Sequence, residues 1–436
     1  MRMMIYKSIN SVSLFALLVC VSSVYLFGYV QFVGEFTSLL CVGSCFALIY
    51  KAYKSQNALF FTLFCFLTLY AWPSKLLFID HLYLSGHHLE YTFTTAFWTT
   101  SILTLFFLLV GRYVRIPLKE SIVDDFYRHN KKIFYGLFFI SLLITILFRP
   151  VGNLYNGEED SSNFSLYEYN LILLYVIYKY ADSRYKLLLF AFLCLLYSYF
   201  TVISGGRIAI IMLGLLLLVI RFQNTLRFRT IAIAAIMGIW LMNIYENVRS
   251  NPIALLEGNI IEILTPLHQG SLEVQASNFG DVFWASERLI ILSDIGELTW
   301  SDRLSSLFYF LISPFFSMDA LPDTANLTFY KRDIYSSGGG SLAPVIFYIY
   351  LGVFGVYLFA KFIVRRLNNL VVINTSFRST YSVFLVVTLP RWFAYYPLQL
   401  IKFCVIAAIF ILLVEKIDRK LLWSPKYGNT HQRIKS

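Results

Sequence analysis

The sequence predicts an all-α, polytopic membrane protein, and three observations predict it. Its 436 residues are 58% hydrophobic and 18% aromatic but only 14% charged, against about 25% charged in a soluble domain. Apolar runs able to cross about 30 Å of hydrocarbon recur from end to end, which leaves no separate soluble domain. The basic residues also alternate in placement. With the N-terminus on the cytoplasmic side, 26 of the 36 Lys and Arg fall in segments on that side, as the positive-inside rule requires. That pattern accounts for the net charge of +11 without a nucleic-acid partner.

Twelve spans are expected, near residues 9–29, 36–50, 57–72, 94–111, 133–149, 166–181, 187–203, 208–221, 230–245, 342–363, 379–395 and 398–415. The first follows Arg2 and Lys7, is too long for a signal-peptide core and has no small-residue cleavage pattern before Gln31. An even number of spans puts both termini in the cytoplasm. The domain organisation is then nine spans over 1–245, one large outer loop over 246–341, three spans over 342–415 and a basic cytoplasmic tail over 416–436. Within the loop, residues 304–318 (LSSLFYFLISPFFSM) are apolar but too short to span and are broken by Pro314, which predicts an interfacial or re-entrant helix. All six cysteines lie inside apolar runs, so a disulfide framework is not supported and lipid-facing or core packing is the expectation.

Three outer segments are large, 73–93, 150–165 and 246–341, while the inner ones are mostly short and basic with one longer piece from Arg112 to Lys132, which points function outward. Ser204-Gly205-Gly206-Arg207 opens the eighth span there. A helix N-terminus with close backbone approach at Gly205 and Gly206 favours an anion, and Arg207 adds a forked donor matched to phosphate. A helix cap followed by a snorkelling arginine is the plainer alternative. Ser336 to Ser341 (SSGGGS) repeats the device before the tenth span, or is simply a hinge; Lys331 and Arg332 upstream could swing over a site or remain solvated. Arg391, in LPRW between the last spans, is costly near hydrocarbon unless it faces protein, water or a partner, although snorkelling beside Trp392 would also satisfy it.

The loop itself carries twelve acids against five bases. A surface that merely coats phosphate would be basic; this one is mixed, and its acids suit sugar hydroxyls or a base. For any one of them a solvated face is the plain expectation. Two metal readings are weak. His81, His87, His88 and Glu90 fit no zinc spacing, and Glu158-Glu159-Asp160 reads as a solvated acidic turn.

Many aromatic-rich spans, then SGGR opening a span, then a large outer loop ending in SPFFSMDALPDTANLTFYKR and a Gly-rich turn before APVIFYIYLGVFG, then an arginine between the last spans, together resemble the Wzy-type O-antigen and oligosaccharide repeat-unit polymerases over roughly residues 195–415. The resemblance implies a fold like the C-type glycosyltransferases in a bacterial cytoplasmic (inner) membrane, with the large loop periplasmic. It implies transfer of a growing glycan from undecaprenyl pyrophosphate to the terminal sugar hydroxyl of an incoming lipid-linked repeat unit. Arg207, Arg249, Arg288 and Arg391 would contact the pyrophosphate, and His268, or one of Glu273, Asp281 and Asp323, would serve as base. No cofactor or metal is implied; the partners are undecaprenyl-pyrophosphate-linked oligosaccharides, membrane lipid, and a chain-length regulator and flippase.

Two rival functions stay open. An O-antigen ligase shares the chemistry and differs in acceptor. A transporter or flippase of lipid-linked sugar predicts paired charges at mid-span and repeated halves, whereas here most mid-span positions are apolar and the charges gather at one outer edge.

Overall fold

The structure is a computed structural model, and it describes residues 2–28, 30–80, 93–116, 130–149, 161–203, 207–222, 227–231, 233, 237, 278–316, 320–328, 330–331, 334, 340–370, 377–395 and 397–422. Among these every regular element is helical. Nine helices occupy the first half: α1 (Arg2–Phe27), α2 (Val30–Lys54), α3 (Ala58–Leu69), α4 (Trp72–Phe78), α5 (Phe93–Tyr113), α6 (Lys131–Leu147), α7 (Ser161–Lys179), α8 (Arg184–Ile203) and α9 (Arg207–Leu217). Then come α10 (Asn278–Asp294), α11 (Trp300–Ile312), α12 (Ala343–Asn369), α13 (Phe377–Val387), α14 (Leu389–Ala394) and α15 (Lys402–Leu422).

Six stretches among the described residues are long and apolar enough to cross a membrane: Val30–Lys54, Ala58–Phe78, Phe93–Tyr113, Arg184–Val202, Ala343–Asn369 and Pro397–Lys420. Val12–Phe27, Ile208–Arg221 and Phe377–Val387 are shorter apolar helices. The expected spans at 133–149 and 166–181 appear as α6 and α7 but are not among the six; α7 is interrupted by Glu168 and Asn170. Most of the expected span at 230–245 lies outside the described residues.

Several spans are broken where the sequence dictates. The span expected at 57–72 begins at an Asn57 cap, whose side chain accepts from the Phe60 N–H at 3.1 Å, and stops before Pro73 in α4. The one expected at 379–395 breaks at Thr388, because Pro390 has no N–H to continue the ladder. α12 bends sharply at Leu351 and Gly352, where Gly352 has φ +62°. Phe347 and Phe359 consequently stack at 4.3 Å, although twelve residues of straight helix would separate them by about 18 Å.

α5 is the packing hub and meets α1, α2, α4, α10 and α12. Its C-terminal end is tied to its neighbours. Lys51 Nζ donates to the Gly111 and Val114 carbonyls at 3.1 and 2.7 Å, and the Arg115 N–H donates to Asn368 Oδ1 at 2.8 Å. A second knot joins α6, α7 and α15: Asn130 Nδ2 and Tyr180 OH donate to Asp418 at 2.8 and 3.0 Å, and Lys179 Nζ lies 3.9 Å from Glu415. Arg366 over Tyr381 (4.6 Å) and Tyr175 against Phe384 (5.4 Å) link the two knots into one basic end.

The region expected to be a polar loop holds two helices. α11 starts with a capping box between Thr299 and Asp302 and ends in a 3-10 turn, Ser313–Phe315, that contains Pro314; the short apolar helix expected at 304–318 therefore begins four residues earlier. Trp300, Leu304, Phe308 and Leu311 form its exposed apolar face, while Ser306 and Phe310 are buried. α10 was not expected. Its sequence, NFGDVFWASERLIILSD, is apolar all round except for a few charges, and those charges hid a helix that buries Val282, Phe283, Trp284, Leu289 and Leu292.

Candidate functional site

The described residues bring one expected arginine into a cluster and give another a different task. Arg391 projects from α14 toward α7, where its Nε (2.8 Å) and one terminal nitrogen both donate to Glu168 Oε1. Glu168 is 4% exposed and Arg391 24%, so the open side of the pair is the arginine's. Glu168 stands eleven positions before Lys179, about 16 Å along α7 from the basic end. It is buried in protein, seven positions from the opposite end of α7, which is the end expected to face outward.

Stacked tyrosines flank the pair. Tyr167 and Tyr197 rings lie 4.4 Å apart at 9°. Tyr167 OH donates to the Tyr197 carbonyl at 2.7 Å, and Thr201 Oγ1 reaches both that carbonyl (2.6 Å) and Tyr167 OH (3.2 Å). One turn along, Asn170 bonds Ser141 and Thr145 of α6 at 2.8 Å each, which fixes α7 against its neighbour.

Gly340, just before α12, reaches the same place. A Cβ on Gly340 would lie 2.0 Å from the Tyr395 Cα, and Tyr395 N–H donates to the Arg391 carbonyl at 3.0 Å. Glycine is needed there for backbone contact one turn from Arg391. The start of α12 is not an open anion cradle: Ser286 Oγ accepts the Leu342 N–H at 2.8 Å and Ser341 Oγ donates to the Ala285 carbonyl at 3.2 Å.

Arg288 is buried completely inside α10. Its guanidinium donates to the Thr328 carbonyl at 3.2 Å and to the Tyr330 carbonyl, so in this structure it fastens the loop to α10 rather than opening onto a surface. Beside it, buried Glu287 accepts a 3.4 Å hydrogen bond from Thr95 on Oε2, and its Oε1 has no partner among the described residues. Burial raises the Glu287 carboxyl well above the ordinary range, partly offset by that hydrogen bond.

Lys331 is tied down as well. Its Nζ bonds the Glu297 carboxylate at 2.8 Å and the Glu297 carbonyl at 2.6 Å, and the Glu297 hydrogen bond raises its pKa. Asp323 is exposed and opens the 3-10 turn Asp323–Ala325. Arg207 is the first residue of α9, a helix that packs on α7, α8, α13 and α14; only its backbone is described. Gly205, Gly206, Arg249, His268, Glu273 and Arg332, with the histidines at 81, 87 and 88, lie outside the described residues.

Glu168 and Tyr197 escaped the sequence reading. A lone acid in the otherwise apolar run LYEYNLILLYVIYK was the available signal, because an ionisable residue inside a span is a functional candidate. Tyr197 carried none, being one tyrosine of 31. Comparison with family models, with curated proteins and with solved structures finds no match to this chain.

Proposed function

We propose that the chain is a polymerase of lipid-linked oligosaccharide repeat units of the O-antigen type. It would transfer the growing glycan from undecaprenyl pyrophosphate to the terminal sugar hydroxyl of an incoming lipid-linked unit. One observation carries the reading: an arginine, part-exposed and oriented by a buried carboxylate, inside a helical bundle. Cleaving an anomeric carbon–oxygen bond to pyrophosphate develops negative charge on the leaving group, and a guanidinium facing it stabilises that charge. Arg207, opening a helix that packs on α14, would add a second donor, and the base for the acceptor hydroxyl would come from residues such as His268.

On this reading the basic end faces the cytoplasm of a bacterial inner membrane, the chain crosses twelve times, and residues 246–341 are periplasmic. A flippase would supply the lipid-linked units and a chain-length regulator would set their number. The test is the surface glycan of a strain lacking the protein. Single repeat units attached to lipid A core are expected; complete absence of attached units would identify a ligase instead.

The Glu168–Arg391 pair also favours a second reading, since paired intramembrane charges are what a transporter of lipid-linked sugar requires. Vesicles holding the purified protein separate the two. Translocation of a lipid-linked sugar without glycosyl transfer would make the protein a transporter, and chain growth without translocation would make it a polymerase.

A further inference from the structure

Tyr197 presents a hydroxyl that is buried and has no hydrogen-bond partner among the described residues. Such a group costs stability, and native proteins keep few of them. Its position supplies a reason. Because the Tyr167 hydroxyl bonds the Tyr197 backbone while the two rings stack, the rings overlie head to tail. The Tyr197 hydroxyl therefore points back at α7, where Glu168 follows Tyr167 directly. It lies within electrostatic reach of both Glu168 and Arg391.

We infer that Glu168 and Tyr197 form a counter-ion switch for the Arg391 site. At rest, Glu168 Oε1 takes two donors from Arg391 and neutralises it. An incoming phosphate-class anion meets the arginine first, because that is the exposed side of the pair, and draws the guanidinium away. The carboxylate left behind would be a buried, unpaired charge, which is strongly unfavourable. A change of Glu168 rotamer brings it to the waiting Tyr197 hydroxyl, which donates to it. Glu168 is thus a positioning residue: it aims Arg391 while the site is empty and lowers its affinity for anions, so that product can leave.

This inference rests on Arg391 being the anion contact, and the experiment separates the two. The full chain in nanodiscs is titrated with inorganic pyrophosphate and, in parallel, with farnesyl pyrophosphate. Removing the competing charge in Glu168→Gln is expected to tighten binding about tenfold. Tyr197→Phe is expected to melt no lower than wild type, since it loses only an unsatisfied group, and yet to bind about fivefold more weakly. A purely structural pair would give neither a gain in affinity nor a loss of binding with stability kept. If Glu168→Gln does not fold, Glu168→Asp, with its carboxylate withdrawn by one methylene, is expected to show the same gain in smaller measure. Equal responses to both probes would assign recognition to the pyrophosphate alone, and a larger response to farnesyl pyrophosphate would assign it to a lipid head group; the switch stands in either case. Unchanged affinity in the Glu168 variant, or in Tyr197→Phe, overturns the switch. Unchanged affinity in Arg391→Ala overturns the reading of Arg391 beneath it.

Discussion

Arg288 on α10 and Arg391 on α14 both interrupt apolar sequence, yet the fold uses them in opposite ways. Arg288 is sealed beneath α10 and fastens two loop carbonyls. Arg391 meets an acid from a distant helix and keeps about a quarter of its side chain exposed. Carbonyl partners cannot be exchanged without undoing the loop, whereas a carboxylate partner can be displaced by another anion. The same side chain therefore serves as a fastener in one region and, on the proposed function, as a binding group in the other.

The sharpest way to break that contrast is to remove each arginine and read stability and activity separately. Arg288→Ala leaves buried acceptors without donors and should cost about 3–5 kcal/mol, seen as loss of folded protein in a detergent melting assay. Arg391→Ala combined with Glu168→Gln leaves no buried charge behind, and should keep the melting temperature near wild type while abolishing long glycan chains. Equal destabilisation by both changes would erase the distinction.

Gly340→Ala comes next. Its methyl group would collide with the Tyr395 backbone, and because backbone cannot swing aside as a side chain can, a loss of about 3 kcal/mol is expected. Chain growth should fall with it, since Tyr395 closes the turn that carries Arg391.

Glu287→Gln tests the α10 region more gently. A carboxyl whose folded pKa is raised by burial contributes stability below its unfolded pKa, about 4.3, and loses that contribution as pH rises toward the folded value. The glutamine variant has no such loss. Its melting temperature should exceed that of wild type, by a margin that grows with pH above about 4.5; a constant margin would mean that Glu287 is not held protonated. The smallest effect is expected from Thr299→Ala, which removes the capping box of α11 for about 1 kcal/mol and should leave glycan length unchanged.

These two regions also mark what was legible in the sequence. Long apolar helices such as α2 and α5 announce themselves, as does the break made by Pro390, because hydropathy and proline act locally. α10 did not, since Asp281, Glu287 and Arg288 make it look like solvated loop, and only the contacts from Thr95, Thr328 and Tyr330 show that two of those charges are buried. Arg391 was legible as an expensive residue near hydrocarbon. Its partner was not, because Glu168 lies 223 residues away and no local pattern links α7 to α14. The glycines before α12 suggested an anion cradle; for Gly340 the reason is contact with Tyr395, a tertiary fact.

The central claim is that the Arg391 cluster holds a pyrophosphate head group. A structure determined with farnesyl pyrophosphate tests it most directly. Phosphate density within hydrogen-bonding distance of the Arg391 guanidinium, with Glu168 turned to Tyr197, is the predicted result; ordered phosphate density elsewhere, with the Glu168–Arg391 pair intact, would contradict it.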